Sequence, residues 1–135
     1  MDAQPDTERT APSTAVLVVE DDAFLRSSIA SFLERRGFAV SAAGCASDAI
    51  RILMTKTPVE VVLTDVRMPG YLDGLDLARW VRDERPGITV IVTSADPRAS
   101  ELAARMVGAR SVIPKPYDPE AVESRIREDR PLPAR

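Results

Sequence analysis

Short apolar runs alternate along the chain with segments in which apolar residues recur at helical spacing. Runs rich in valine and isoleucine predict five strands, at residues 15–19, 39–43, 59–63, 89–93 and 111–113. Four of the intervening segments carry apolar residues three and four apart, as at Leu25, Ile29 and Leu33, and a fifth such pattern covers residues 118–129. The pattern therefore predicts five β-α units in succession.

The predicted strands are apolar almost without interruption, which is typical of strands that are buried on both faces of a parallel sheet. Strands that alternate with helices favour a doubly wound α/β domain, in which helices cover both faces of the sheet. Gly37 and Gly108 stand where a residue of positive φ ends a helix, and Ser47 and Asp118 are candidate helix caps.

Length and composition fit one folded domain with two short tails. The chain has 135 residues, of which 44% are hydrophobic and 29% charged, an ordinary globular composition with room for one core. Residues 1–14 show no periodicity, and residues 130–135 contain two prolines, which lack the amide donor that a helix needs. We expect a domain over residues 15–129, flanked by an N-terminal tail (1–14) and a C-terminal tail (130–135).

Composition removes several classes of chemistry. The chain has no histidine and one cysteine, which excludes histidine-based catalytic triads, histidine-ligated zinc and an internal disulfide. It shows no signal peptide and no bilayer-spanning apolar stretch, and its net charge of −3 gives no basic footprint for nucleic acid. We expect a cytoplasmic protein with no direct contact to membrane or nucleic acid.

Polar residues follow four of the predicted strands. Glu20 and Asp21 come after the first strand, Asp65 after the third, Ser94 after the fourth and Lys115 after the fifth. Ligand sites of open parallel sheets lie at the carboxyl ends of the strands, so we expect these side chains to converge there. Crowded carboxylates repel unless a cation lies among them, and a set of oxygen ligands without imidazole or thiolate favours Mg²⁺.

Asp65 is the natural nucleophile of such a site. A carboxylate beside Mg²⁺ can attack an activated phosphoryl group to give an acyl phosphate, while the metal ion and the Lys115 ammonium neutralise the developing charge. The Ser94 hydroxyl could then donate a hydrogen bond to a phosphoryl oxygen, which would make the site a switch.

At these positions the sequence resembles the receiver domain of two-component response regulators. The resemblance covers about residues 14–129. It rests on an ordered set of motifs: Glu20-Asp21-Asp22, Leu63-Thr64-Asp65, Asp73-Gly74, Thr93-Ser94-Ala95 and Lys115-Pro116. It implies the flavodoxin-like receiver fold, a five-stranded parallel sheet with strand order 2-1-3-4-5.

The resemblance also implies roles. Asp65 accepts a phosphoryl group from a sensor histidine kinase or a histidine phosphotransfer protein, which supplies the histidine that this chain lacks. Ser94 is the switch hydroxyl and Lys115 the phosphate partner.

For the metal, the resemblance implies that Glu20, Asp21 and Asp65 bind Mg²⁺ together with the backbone carbonyl of Arg67. Asp21 is the more direct ligand of the acidic pair. The peptide bond between Lys115 and Pro116 is expected to be cis.

Three features depart from the common pattern of the family. Val112 stands three residues before the lysine, where the family often has an aromatic ring that rotates on phosphorylation. The 69–74 loop is one residue longer than the commoner spacing, and its Tyr71 either covers the site or points to solvent. Pro114, within the fifth run, fits only an edge strand or a position past the ladder.

Three functions compete. The first is a stand-alone receiver, regulatory rather than enzymatic, because the chain ends soon after its last predicted helix. Phosphorylation would change its surface at about residues 98–129, which would control a downstream protein, pass the phosphoryl group on or support a homodimer.

The second is a small Mg²⁺-dependent phosphohydrolase that forms the same aspartyl phosphate, although Arg67 occupies the position where haloacid dehalogenase-type enzymes need a second aspartate. The third, a flavin-binding electron carrier, is disfavoured by the acidic loop after the first strand, where a phosphate cradle needs glycines and amide donors.

One further hypothesis concerns the loss of the phosphoryl group. In the family, the water that removes it passes between the residues that here are Arg67 and Asp96. An ion pair between them would slow that loss.

Overall fold

The structure, a computed structural model, describes residues 13–68 and 70–129, in which strands and helices alternate. The strands are β1 Ala15–Val19, β2 Ala39–Ala43, β3 Val61–Asp65, β4 Thr89–Ser94 and β5 Val112–Pro114. The helices are α1 Ala23–Arg35, α2 Ala46–Leu53, α3 Gly74–Glu84, α4 Pro97–Val107 and α5 Pro119–Asp129, and a 3₁₀ turn, Ala109–Ser111, precedes β5.

The strands form one parallel sheet in the order β2-β1-β3-β4-β5, which confirms the predicted doubly wound fold. β1, β3 and β4 lie between two neighbouring strands, whereas β5 lies at an edge. Pro114 is the last residue of that edge strand, which is where a proline without an amide donor is tolerated.

Side chains of the central strands alternate between the two faces of the sheet, and each face carries its own helices. Val16 and Val18 belong to an apolar cluster with residues of α1 and α5, whereas Leu17 and Val19 belong to a second cluster with residues of α2 and α3. The β1 side chains are at most 5% exposed, because helices cover both faces. α4 packs through Ala99 and Ala103 on a third, smaller cluster.

Some predicted boundaries differ from the observed ones. β3 begins at Val61 rather than residue 59, because its pairing with β1 starts at Val16 and Val61. Ser47 is not the cap of α2: the helix begins at Ala46 after Cys45, since Ala46 and Ala49 must face the core. Gly37 and Gly108 have φ values of 96° and 94°, as expected after a helix.

The predicted limits of the domain, residues 15–129, stay a prediction. β1 begins at Ala15 and α5 ends at Asp129. Residues 1–12 and 130–135 lie outside the described residues, so the predicted tails stay a prediction. Within the described part of the chain, none of the helices has the length and apolar character needed to cross a membrane.

The start of α3 lies directly against the end of β3. The Gly74 amide donates to the Val66 carbonyl at 2.8 Å. A Cβ atom on Gly74 would collide with the Asp65 carbonyl oxygen and lie 2.9 Å from the Val66 Cα atom. Asp73 caps the helix and forms a capping box with Asp76. A residue without a side chain is therefore required where the helix approaches the Asp65 backbone.

We predict that Gly74→Ala destabilises the protein by about 1–3 kcal/mol, because the backbone of either α3 or Asp65 must move. Urea denaturation of the two proteins measures the difference. Gly87→Ala is the matched control, since a Cβ atom there meets nothing within 4 Å; its free energy of unfolding should stay within about 0.5 kcal/mol of the wild-type value. An equal decrease in the free energy of unfolding of the two variants would contradict the close approach of α3 to the Asp65 backbone.

Candidate phosphoacceptor site

Three carboxylates meet at the carboxyl ends of β1 and β3. One oxygen atom from each of Glu20, Asp21 and Asp65 lies within 4.8 Å of the other two. Their proximity follows from the sheet register, because β1 and β3 are neighbours and Val19 pairs with Thr64. The residues that follow each partner therefore come side by side.

Lys115, which follows β5, reaches the same cluster. Its Nζ atom donates to Asp65 Oδ2 and to Glu20 Oε1, both at 3.1 Å. Its backbone amide donates to the Ser94 carbonyl at 2.9 Å, which anchors it beside β4. The peptide bond from Lys115 to Pro116 is cis, as expected. Four of the predicted site residues are thus brought together.

The environment of this cluster shifts two pKa values. Burial raises the pKa of Glu20 above its ordinary value, and this effect outweighs the stabilising hydrogen bonds from the Asp22 amide and Lys115. Burial disfavours the charged form of Lys115, but its hydrogen bonds to Asp65 and Glu20 outweigh that effect and raise the pKa of the ammonium. Lys115 therefore stays protonated at neutral pH and neutralises part of the carboxylate charge.

The two acids of the first loop differ in their surroundings. Glu20 is 5% exposed, and its carboxylate accepts hydrogen bonds from Lys115 and from the Asp22 amide. Asp21 is exposed. Three carboxylates against one ammonium leave an excess of negative charge, and the ligand atoms are all hard oxygens. This donor set fits Mg²⁺, which prefers oxygen ligands and keeps several waters.

Ser94 lies at the end of β4 and is 3% exposed. Its Oγ atom donates to the Asp96 carbonyl at 3.1 Å and accepts from the Asp96 amide at 3.2 Å. The hydroxyl thus holds the β4–α4 loop, and a bond to a group on Asp65 would require it to leave Asp96.

Arg67 and Asp96 form the ion pair that the sequence suggested. Arg67 Nη2 lies 2.6 Å from Asp96 Oδ2, across the ends of β3 and β4. Asp96 also caps α4 by accepting from the Arg98 amide at 3.1 Å. The hydrogen bond from Arg67, followed by that from the Arg98 amide, lowers the pKa of the Asp96 carboxyl.

Two open questions of the sequence analysis concern the loop and β5. Tyr71 is 98% exposed, so it points to solvent rather than over the site. Val112 is half-buried and packs against the cluster under α4.

An apolar surface beside Lys115 was not predicted from the sequence. A cavity of about 380 Å³ opens there, lined by Leu25, Ser28, Ile29, Ala95, Lys115, Pro116, Tyr117 and Pro119. Phe24, next to Leu25, is 78% exposed. Leu25 belongs to the helical pattern of apolar residues in α1, but it is 42% exposed and lines this cavity. The sequence did contain one indication of this surface, because two adjacent apolar residues, Phe24 and Leu25, come shortly after the acidic residues of the first loop.

Comparison with known proteins identifies the class. The family model of the response regulator receiver domain matches residues 16–127. The chain therefore belongs to the response regulator receiver domain family, as the fold and the acidic cluster indicate.

Particular relatives support this assignment. The transcriptional regulatory protein CseB of Streptomyces avermitilis is 36% identical over 118 residues, which cover 87% of this chain and 49% of CseB. The response regulator MprA of Mycolicibacterium vanbaalenii is 34% identical over 113 residues, which cover 83% of this chain and 48% of MprA. The chain thus spans about half the length of the curated relatives that it matches.

Solved structures give the same fold. A response regulator receiver protein from Pseudomonas putida is 30% identical, with a TM-score of 0.74 over 86% of this chain and 97% of that one. A CheY-like receiver domain protein from Methanospirillum hungatei JF-1 has a TM-score of 0.78 at 23% identity, over 87% of this chain and 94% of that one.

We predict that Arg67→Ala raises the pKa of Asp96 towards its ordinary value, because the main cause of the lowered pKa is removed. A lowered carboxyl pKa means that the ion pair stabilises the fold above the unfolded-state pKa, and that this contribution is lost as the pH falls through the lowered pKa. Carbon NMR titration of the carboxyl signals measures the change. The pKa of Asp76, which is lowered mainly by the Asp73 amide, should not move; a parallel shift of both carboxyls would count against a local cause.

Proposed function

We propose that this chain is a phospho-accepting receiver in which Asp65 takes a phosphoryl group from a phosphohistidine on a partner protein. The observation that carries the proposal is the cluster of Glu20, Asp21 and Asp65, two carboxylates of which, Glu20 and Asp65, are held by the Lys115 ammonium at 3.1 Å. It combines a nucleophile, candidate metal ligands and a fixed positive charge.

The transfer is a displacement at phosphorus. A carboxylate oxygen of Asp65 forms a bond to the phosphorus atom while the bond from phosphorus to the imidazole nitrogen breaks, and that nitrogen keeps the electron pair. Because this chain has no histidine, the donor is a sensor histidine kinase or a histidine phosphotransfer protein. Lys115 stabilises the charge that develops on the phosphoryl oxygens.

Glu20, Asp21, Asp65 and the backbone carbonyl of Arg67 are the proposed ligands of Mg²⁺. When bound, the ion supplies a second positive charge for the phosphoryl oxygens. Glu20 keeps Lys115 in place through the hydrogen bond at 3.1 Å and orients the Asp22 amide.

The proposed switch is an exchange of partners by Ser94. Its hydroxyl leaves the Asp96 backbone and donates to a phosphoryl oxygen, which frees the β4–α4 loop and changes the surface formed by α4, β5 and α5. Val112 carries no ring, so the change is transmitted through Asp96, which links Ser94, Arg67 and the start of α4.

The changed surface, about residues 98–129, is the proposed contact for a downstream protein or for a second copy of the chain. We propose that the receiver itself acts through protein contacts, in the cytoplasm, and binds no nucleic acid. One named relative, the transcriptional regulatory protein CseB, is about twice as long as the region that matches this chain. The proposal concerns the receiver alone and not the activity of a longer protein that contains it.

The phosphohydrolase alternative is less well supported. Arg67 occupies the position where that chemistry needs an acid or base, and the nearby Asp96 is ion-paired with a lowered pKa. A carboxylate so held is a poor general acid. We therefore propose a regulatory phosphoacceptor rather than an enzyme acting on external substrates.

We predict that acetyl phosphate with Mg²⁺ adds one phosphoryl group to the wild type and none to Asp65→Asn, as measured by intact-protein mass spectrometry. Asp22→Asn is the matched control, because Asp22 adjoins the cluster but caps α1 through the Phe24 and Leu25 amides. It should be phosphorylated like the wild type. Release of phosphate from generic esters, with no adduct, would instead favour the phosphohydrolase.

We predict that Arg67→Ala shortens the lifetime of the phosphorylated protein, because the ion pair with Asp96 no longer narrows the path of the attacking water. The phosphorylated fraction is followed by mass after the donor is removed. A longer lifetime in the variant than in the wild type would contradict this role of the ion pair.

The apolar surface of Leu25, Pro116 and Tyr117, which borders Lys115, is the proposed docking site of the phosphodonor protein, together with the exposed Phe24 next to Leu25. We predict that Phe24→Ala slows transfer from the cognate phosphohistidine protein but not phosphorylation by acetyl phosphate. Met54→Ala, an exposed apolar residue at the end of α2, is the control. Equal rates of protein-to-protein transfer in the wild type and the Phe24 variant would place the docking elsewhere.

A further inference from the structure

Glu20 is held by hydrogen bonds at each of its polar groups. Its amide donates to the Ala43 carbonyl at 3.1 Å, and its carboxylate accepts from Lys115 and from the Asp22 amide. Its backbone carbonyl accepts from Arg26 Nη1 at 2.7 Å. Ala43 belongs to β2, Asp22 to the acidic loop and Lys115 to the segment after β5, whereas Arg26 reaches back from α1.

The carbonyl that Arg26 holds belongs to the same peptide unit as the Asp21 amide. This unit is planar, so fixing its oxygen fixes the plane that connects the two acidic residues. The carboxylates of Glu20 and Asp21 extend from opposite ends of that plane. A short hydrogen bond from a charged guanidinium is stronger than one from a neutral donor, which suits it to this restraint.

The guanidinium lies close to the Gly44 backbone. A Cβ atom on Gly44 would lie 3.2 Å from Arg26 Nη1 and 3.8 Å from its Cζ atom. Gly44 follows Ala43, the residue that accepts the Glu20 amide. The β2–α2 loop thus lies next to the Arg26 guanidinium.

We infer that Arg26 is a positioning residue for the metal site, which holds the Glu20–Asp21 peptide so that both carboxylates face Asp65. This inference rests on the proposed Mg²⁺-dependent function. The inference also predicts the direction in which Mg²⁺ affinity changes when Arg26 is replaced. Loss of its positive charge alone would strengthen Mg²⁺ binding, because repulsion is reduced, whereas loss of its restraint on the peptide weakens Mg²⁺ binding.

Isothermal titration of the wild type and of Arg26→Met with MgCl₂ tests the inference. We expect the variant to bind Mg²⁺ about 10–100-fold more weakly, the usual cost of losing a residue that orients a metal ligand. Arg35→Met is the control, because it removes the same charge from the last turn of α1. Its affinity should equal that of the wild type or be slightly higher.

Two further measurements separate positioning from a general loss of stability. In the absence of Mg²⁺, the Asp21 amide signal of Arg26→Met should shift in nitrogen NMR spectra, while the core amides of β1 stay unchanged. Gly44→Ala, which pushes the guanidinium aside, should weaken Mg²⁺ binding in the same direction by less. It also serves as the second variant if Arg26→Met does not fold.

Mg²⁺ binding by Arg26→Met that equals or exceeds that of the wild type would overturn the inference and leave the proposed function intact. A wild type that binds no Mg²⁺ would overturn the metal site itself. In that case an unshifted Asp21 amide in the variant would overturn the positioning role independently.

Discussion

The whole site depends on the placement of one ammonium group among crowded carboxylates. Glu20 and Asp65 lie at the ends of neighbouring strands, where their charges repel at short distance. Lys115 bridges both at 3.1 Å. A partly buried pair of this kind leaves an uncompensated charge when one partner is removed, so the three residues are coupled. The excess negative charge that remains is what makes the pocket attractive to a cation.

The fold keeps these groups in place through backbone contacts rather than side-chain packing alone. Parallel pairing of β1 with β3 places the acids side by side, and the Ser94 carbonyl fixes the Lys115 backbone. Behind Asp65, α3 begins so close that only glycine fits at position 74. These contacts restrain the Asp65 backbone, while Asp21 is exposed and an apolar cavity borders Lys115.

Much of this arrangement is readable from the sequence, because parallel strands bring their carboxyl ends to one edge. That rule placed Glu20, Asp21, Asp65 and Lys115 together, whereas the Arg67 to Asp96 pair was suggested by the resemblance to the receiver family. Other features depend on the path of the chain in space. Helical spacing shows which residues of α1 share a face, but not that Leu25 on that face lines an open cavity beside Lys115.

The same limit explains two further differences. Ser47 has the residue type of a helix cap, yet burial of Ala46 and Ala49 sets the start of α2 earlier. The sequence shows Gly74 as part of the Asp73-Gly74 motif, but it does not show that Gly74 contacts the Asp65 backbone. That contact forms because the start of α3 packs against the end of β3, nine residues earlier in the chain. Local preferences give way in both cases to contacts formed on folding.

The most direct test is a crystal structure of the protein with Mg²⁺ and beryllofluoride, a mimic of the phosphoryl group. We predict one ion in contact with Asp21 and Asp65, the adduct on Asp65 with Lys115 beside it, and Ser94 Oγ turned from Asp96 to a fluorine atom. An adduct on another carboxylate, or an ion bound away from the Glu20, Asp21 and Asp65 cluster, would contradict the central claim.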